Sequence, residues 1–599
     1  MKHLLVLNKY FYQYKYTFLI GVLFVAISNI FSIMPPQAIR YAFDLVKDDI
    51  VYYKMYSGFA LQNSFYSIFS QAIFIFGISV LLMALLRGIF MFLMRQTLIV
   101  MSRRIEFDLR NDMYAHYQSL TAAFYKRNRT GDLMSRITED IVRVRMYLGP
   151  AIMYAVNLFV TIVTVMAIML STNVELTLYA VLPLPFLAGS IYYVNSIIHA
   201  KSEAIQQQMS KLTAIAQEAF SGIRLIKAYV QEKANIGFFD DESNTYRQKS
   251  IDLTRTQALF SPLMLVLVGT STVLTIYIGG KQVIDGKITS GNIAEFILYV
   301  NMLTWPVMSI GWTAAMVQRA AASQKRINEF MNTMPEIVSV NNTPVQLKGK
   351  ITFKNVGFTY PDTGIKAMNK VSFELLPGEK MAIVGRTGSG KSTIAELLVR
   401  NYDTTEGEIL LDDQALKQLN LESVRQQIGY VPQDVFLFSD TVSNNVSFGR
   451  PDATPEQIRK AAQQASVLKE IESLPEGFDT IVGERGVTLS GGQKQRISLA
   501  RALIKEPAIL ILDDCLSAVD AQTEHTIISY LNQYLVDRSA LLITHRIFAS
   551  MNFDKILVIE NGEIAEQGTH EQLLNNGGIY ASLYEKQLSE NTNGNKVTV

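Results

Sequence analysis

Six long apolar runs fill the first half of this chain and constrain its fold more than any other feature. They cover residues 16–37 (YTFLIGVLFVAISNIFSIMPPQ), 68–94, 146–170, 175–198, 258–280 and 292–314. Each is roughly 20 residues or longer, and at about 1.5 Å per residue a helix of that length crosses a hydrocarbon core of about 30 Å. Lipid offers no partners for unpaired backbone groups, so runs of this length must be helices. Composition agrees: of 599 residues, 49% are hydrophobic and 18% charged, too apolar for an ordinary soluble protein of this size.

Charge sets the expected topology. The segment after the second run carries Arg95, Arg103, Arg104, Arg110, Lys126, Arg127, Arg129, Arg136, Arg143 and Arg145. The connection 41–67 has only Lys47 and Lys54, beside Asp44, Asp48 and Asp49. This bias places 95–145 in the cytoplasm, and six crossings then leave both chain ends and the second half of the chain inside. The basic, aromatic start MKHLLVLNKYFYQYKY lacks a small-residue cleavage site and reads as an amphipathic helix on the inner surface. A net charge of +2 with no concentrated basic run gives no reason to expect a nucleic-acid partner. The single cysteine, Cys515, excludes an intrachain disulfide and a cysteine metal cluster.

The connections 95–145 and 199–257 are long, with helical periodicity and mixed charge, so the membrane helices are expected to continue into the cytoplasm. The layout reads as a membrane part over 1–315, a polar link over 316–349, a second domain over 350–587 and a disordered tail over 588–599. In that second domain, short strand-like runs alternate with helices, the pattern of an α/β domain with a parallel sheet. The expected fold class is therefore a six-span α-helical membrane domain fused to an α/β P-loop domain.

The P-loop is GRTGSGKS, Gly385 to Ser392, preceded by the strand KMAIV and followed by the helix TIAELLVR. Backbone N–H groups in a glycine-rich turn, a helix N-terminus, one lysine and one hydroxyl are what a triphosphate and its magnesium ion require. Gly385, Arg386, Thr387, Gly388, Ser389, Gly390, Lys391, Ser392 and Thr393 are thus candidate contacts for ATP or GTP. Downstream, AILILDDC is a strand that ends in two acids, Asp513 and Asp514. The second position is where a nucleotide hydrolase ordinarily carries Glu.

LSGGQ, Leu489 to Gln493, followed by KQRISLARAL and the acidic strand, carries a resemblance. The C-terminal half resembles the nucleotide-binding domain of an ABC transporter, and the whole chain resembles an exporter half-transporter of the multidrug type. The resemblance implies roles. Tyr360 in VGFTY would stack on adenine; Ser392, Gln433 in YVPQD and Asp513 would serve magnesium; Asp514 would polarise the attacking water beside Lys391, and His545 in LLITHR would contact the γ-phosphate and that water. Ser490, Gly491, Gly492 and Gln493 would close over an ATP held by a second half-transporter. TIVGERG (480–486), SAVD (517–520), FYKRNRTGDLMSR and EAFSGIRLIKAYVQEKANI are similar to segments linking the nucleotide domains to each other and to the membrane helices. A carboxylate one methylene short is displaced by more than an ångström, and about 1 Å of misplacement costs on the order of a hundredfold in rate. Asp514 is therefore expected to be a weak base, and the partner is expected to be a different chain; a symmetric homodimer is the general default.

Substrate is less legible. Phe296, Tyr299, Trp305 and Trp312 give the sixth run an aromatic wall suited to lipophilic or cationic compounds, or else lipid anchors. Arg87, near the cytoplasmic end of the second run, either snorkels or belongs to a transport pathway. ATP-driven export of hydrophobic or amphipathic compounds across a bacterial inner membrane is the leading expectation. A lipid flippase homodimer and an ATP-gated channel or sensor are the alternatives.

Overall fold

The computed structural model describes residues 2–59, 61–547 and 551–594 of the chain. It divides into two compact units: Met1–Tyr117 with Gly131–Thr333, and Gln118–Thr130 with Met334–Val599.

The first unit is helical. Six helices, Lys15–Met55, Leu61–Ser119, Thr130–Thr172, Val174–Ser221, Glu232–Ile284 and Ser290–Met331, are long and apolar enough to span a membrane among the described residues. They run from 41 to 59 residues, hence about 60 to 90 Å, two to three times the hydrocarbon thickness. The second helix shows why the environment must be lipid. None of its most apolar stretch is buried, and Phe74, Ile75, Leu81 and Leu85 are each more than 60% exposed. A helix serving a water-soluble core would bury that face. Single π-turns interrupt the second helix at Arg95–Ile99 and the third at Arg136–Asp140 and Tyr147–Ala151.

Polar contacts hold the helices in register. Asn29 Nδ2 donates to Asn157 Oδ1 at 3.0 Å, and Thr161 Oγ1 donates to Asn29 Oδ1 at 2.9 Å, joining the first helix to the third. Arg40 pairs with the fully buried Glu295 at 3.0 Å, joining the first to the sixth. Beside that pair the backbones approach so closely that a Cβ on Gly291 would meet the Arg40 carbonyl oxygen at 2.5 Å. Ahead of the first helix, a 3-10 turn Lys2–Leu7 and a short helix Asn8–Gln13 are tied to the second helix. Tyr10 and Lys9 reach Asp112 at 2.8 and 3.0 Å, and Tyr14 reaches Asp108 at 2.8 Å.

The sixth helix begins in a capping box between Thr289 and Asn292 and continues to Met331, so the first part of the 316–349 stretch is helix. Likewise a terminal helix, Ile579–Gly594, covers the first part of the 588–599 tail; residues 595–599 lie outside the described residues.

The second unit holds two sheets. Four strands form an antiparallel sheet in the order β2 (Lys366–Leu375), β1 (Ile351–Thr359), β4 (Glu406–Leu411) and β5 (Gln414–Ala415). Six form the other, ordered β10 (Glu563–Gly568), β9 (Lys555–Glu560), β3 (Lys380–Val384), β8 (Ser539–Thr544), β7 (Ile509–Asp513) and β6 (Ile428–Val431). All neighbours in it are parallel except β10 against β9. Every residue of β7 and β8 is buried, which explains the apolar runs 509–512 and 540–543 within them. The segment Gln118–Thr130 packs with this unit: its helix Ala122–Arg127 buries Ala123 completely in the core that also contains Phe353, Phe358 and Tyr402.

Candidate functional site

In a parallel sheet, ligands gather beyond the carboxyl ends of the strands, and the site is built there. β3, central in its sheet, runs into the loop 385–390 and then the helix Lys391–Leu398. Gly388 and Gly390 adopt φ of +82° and +97°, conformations that other residues rarely enter. Gly390 is also boxed in, since a Cβ there would sit 2.3 Å from the Ala367 carbonyl oxygen. Lys391 Nζ donates to the carbonyls of Gly385 and Arg386 at 2.8 and 2.7 Å, folding over its own loop. Burial pulls its ammonium below the usual lysine range, an effect opposed by the charges of Asp514 and Asp513.

Three adjacent parallel strands deliver the polar groups opposite. Gln433 follows β6, Asp513 ends β7 with Asp514 next, and His545 follows β8. Register brings them together: Val431 lies beside Leu512, and Asp513 beside Ile543. Ser392 Oγ donates to Asp513 Oδ1 at 3.0 Å. His545 Nδ1 is 3.0 Å from Asp514 Oδ1, and Gln433 Nε2 is 3.5 Å from Asp514 Oδ2. Asp514 has φ of +48°, a left-handed turn that swings its side chain out of the strand direction. Burial pushes the Asp513 carboxyl up to about 6, helped by the neighbouring charge of Asp514 and opposed by the Ser392 hydrogen bond.

These groups line one cavity of about 540 Å³ together with Tyr360, Thr387, Gly388, Gly390, Lys391, Ser392 and Thr393. Tyr360 stands edge-on to Phe358 and Tyr402, and its hydroxyl meets Thr393 Oγ1 at 3.1 Å. The donor set Ser392, Asp513 and Gln433 is all oxygen, as a hard divalent cation such as magnesium prefers. A nearly buried aspartate raised by desolvation is a carboxylate that such a cation would relieve. The fit is therefore good.

Some candidates fall outside the cavity. Gly385 and Ser389 are buried in the loop's frame, and Arg386 points to solvent. Ser490, Gly491, Gly492 and Gln493 do not line it either. Ser490 instead caps the helix Gly491–Leu503, exchanging bonds with Gln493 at 2.8 and 3.3 Å. Both Ser490 and Gly491 are exposed, while Gly492 is pressed so tightly that a Cβ would meet the Ala518 carbonyl oxygen at 2.8 Å.

The cavity also has lining residues that sequence reasoning missed, among them Lys366, Ala367, Asn561 and Gly562. Asn561 and Gly562, with φ of +50° and +81°, make the turn between β9 and β10. The Asn-Gly dipeptide is a hairpin signal that could have been found. Gly562 N donates to the Ser389 carbonyl at 3.2 Å, and its own carbonyl accepts from Asn369 N at 2.9 Å.

In the membrane unit the four aromatics do not form one wall. Phe296 and Tyr299 are fully buried, and the Tyr299 hydroxyl donates to the Ile33 carbonyl at 3.3 Å. Trp305 and Trp312 are about half exposed and flank Tyr154, with ring centroids 5.8 and 5.0 Å away. Arg87 is exposed on the second helix.

The chain belongs to the ABC transporters, as an exporter half-transporter that carries one membrane domain and one ATP-binding domain. It matches the ABC transporter transmembrane region over residues 18–307 and the ABC transporter ATP-binding family over 368–517. Among curated relatives it is 36% identical over 97% of each chain to YheI, a probable multidrug resistance ABC transporter ATP-binding/permease protein of Bacillus subtilis. It is 38% identical to the multidrug resistance-like ATP-binding protein MdlA of Escherichia coli, covering 82% of this chain and 83% of that one. An ATP-dependent lipid A-core flippase of Shewanella oneidensis is 34% identical over 86% of each. A solved bacterial Atm1-family ABC exporter with ATP bound superposes with a TM-score of 0.74 at 27% identity, over 96% of this chain and 98% of that one. The protein is thus a multi-pass inner-membrane ATPase coupled to export.

Proposed function

We propose that this chain is the slow-site half of a heterodimeric exporter of hydrophobic or amphipathic compounds. The observation that carries the proposal is Asp514. Its carboxylate occupies the position from which a glutamate would reach the attacking water, but it is one methylene shorter and engaged by His545 and Gln433. Phosphoryl transfer depends chiefly on positioning and electrostatics.

In this reading Tyr360 stacks on adenine, and the loop 385–390 with Lys391 and the Lys391–Leu398 helix N-terminus hold the phosphates. Ser392, Asp513 and Gln433 would hold magnesium, which supplies charge neutralisation across the phosphates. Asp514 polarises water weakly, and His545 orients Asp514. Ser490 and Gly491, exposed and outside the lining of this cavity, serve the ATP of the partner, whose own base is competent. ATP binding favours the closed pair of nucleotide domains, and that preference is linked to outward access of the membrane cavity.

The multidrug-type relatives support a broad class of lipophilic cargo. The flippase relative supports a second reading, a homodimer that moves lipid. Purification of the tagged chain from its native host in mild detergent, with intact mass measurement of what accompanies it, separates the two. Equal amounts of a different ABC half support the heterodimer. Recovery of this chain alone, as a dimer with brisk ATPase stimulated by lipid rather than drugs, overturns it. Substrate movement that requires ATP binding without sustained hydrolysis would indicate a gated channel or sensor instead.

A further inference from the structure

Two adjacent cations of the segment 118–130 take hold of one turn beside the cavity. Lys126 Nζ stands 5.7 Å from the centroid of the Tyr360 ring and 5.2 Å from that of Tyr402. The next residue, Arg127, pairs with Asp362 and reaches Glu336 at 2.8 Å. Tyr360 and Asp362 belong to the same tight turn, closed by Gly364 N to the Tyr360 carbonyl and by Tyr360 N to the Ile365 carbonyl, both at 2.9 Å. The cations are not loosely tethered, because Ala123 anchors their helix in the core with no exposed surface. Neither cation lines the cavity, so neither is placed to bind nucleotide directly.

We propose that Lys126 and Arg127 are positioning residues for Tyr360, so that recognition of the nucleotide base at this site depends on the segment 118–130. The proposal rests on the reading that Tyr360 receives the base. Lys126 fixes the ring through its face, Arg127 fixes the turn that follows, and the hydroxyl is fixed by Thr393, the residue after Ser392 in the phosphate-binding helix. The restraint is reciprocal. If the position of 118–130 changes the affinity for base, then base binding shifts the equilibrium of 118–130 by the same factor. This segment continues at either end into the membrane helices Leu61–Ser119 and Thr130–Thr172, so base recognition bears on the chain that leads into the membrane.

The test uses the full chain in detergent, with displacement of a fluorescent ATP analogue by ATP and, separately, by inorganic tripolyphosphate, which has no base. Lys126→Gln and Arg127→Gln should each weaken displacement by ATP roughly threefold to tenfold, while tripolyphosphate competes as in the unaltered chain. Lys126→Arg should restore ATP, since a guanidinium keeps both charge and face contact. Tyr360→Ala serves as reference. If it weakens ATP while the two Gln variants leave ATP unchanged, the positioning role is wrong and base stacking stands. Equal weakening of ATP and tripolyphosphate in the Gln variants overturns the proposal in favour of general damage to the domain. No effect of Tyr360→Ala removes the base-stacking reading and this inference with it.

Discussion

His545 Nδ1 lies 3.0 Å from Asp514 Oδ1, so the acid that follows β7 is held by the residue that follows β8. The contact follows from parallel register between two fully buried strands. On the proposed slow-site reading, this contact orients the carboxylate but leaves it one methylene short of the water. Asp514→Glu should therefore raise ATP turnover at this site, on the order of tenfold to a hundredfold, because reach rather than orientation is limiting. Phosphate release by the purified assembly checks this, and an unchanged rate would mean that the base is not what limits hydrolysis.

Asp513 predicts a pH dependence. Its folded-state pKa is raised to about 6, so the proton favours the folded site below the ordinary aspartate range, and that contribution is lost as pH rises through about 6. Binding a divalent cation requires the ionised form. Magnesium-dependent nucleotide affinity should therefore fall about tenfold between pH 7 and pH 5, as the ionised fraction falls. Titration of Asp513→Asn should show a flatter profile over the same range.

Cys515 gives a built-in report on folding. It is 2% exposed, and burial pushes its thiol up to about 12. A thiol that stays protonated and enclosed does not react. The folded protein at pH 7.5 should resist maleimide, whereas denaturant-unfolded chain should take up one equivalent, read by intact mass. Rapid labelling of the folded chain would show that the β7 end opens.

The Arg40–Glu295 pair predicts a stability effect in the membrane unit. Glu295 is fully buried, so Arg40→Ala removes its cationic partner and leaves the charge with the Asn292 amide donating at 3.3 Å, at a cost of about 3–5 kcal/mol. The thermal midpoint in detergent should fall, and a second change, Glu295→Gln, should recover part of the loss. A midpoint equal to that of the unaltered protein would show that the pair contributes nothing.

The parts legible in the sequence were those with a strong local pattern. Six apolar runs announced six helices, and the glycines around Lys391 announced a phosphate loop, since both depend on residues close in the chain. Placement of Gln118–Thr130 with the second unit was signalled by the family resemblance of FYKRNRTGDLMSR and not by periodicity, because a six-residue helix with one anchoring residue, Ala123, has no period to read. Aromatic content was also misleading about direction. Phe296, Tyr299, Val300 and Leu303 recur at spacings of three, four and seven and are all buried, so they form a packing stripe. Trp305 and Trp312, seven apart, occupy a different and more exposed stripe. Spacing, given more weight than residue type, would have separated the two pairs.

The Asn561–Gly562 turn joins strand β2 to the P-loop, by one bond to Asn369 and one to Ser389. Tyr360 stands in the turn that closes the hairpin of β1 with β2. Platform and loop are thereby riveted to one frame before any nucleotide arrives, and the frame works as a caliper. On the proposed reading of Tyr360, a ligand that carries both ring and phosphates is gauged by whether their spacing matches both jaws, whereas phosphates alone meet one jaw and are not measured by the other.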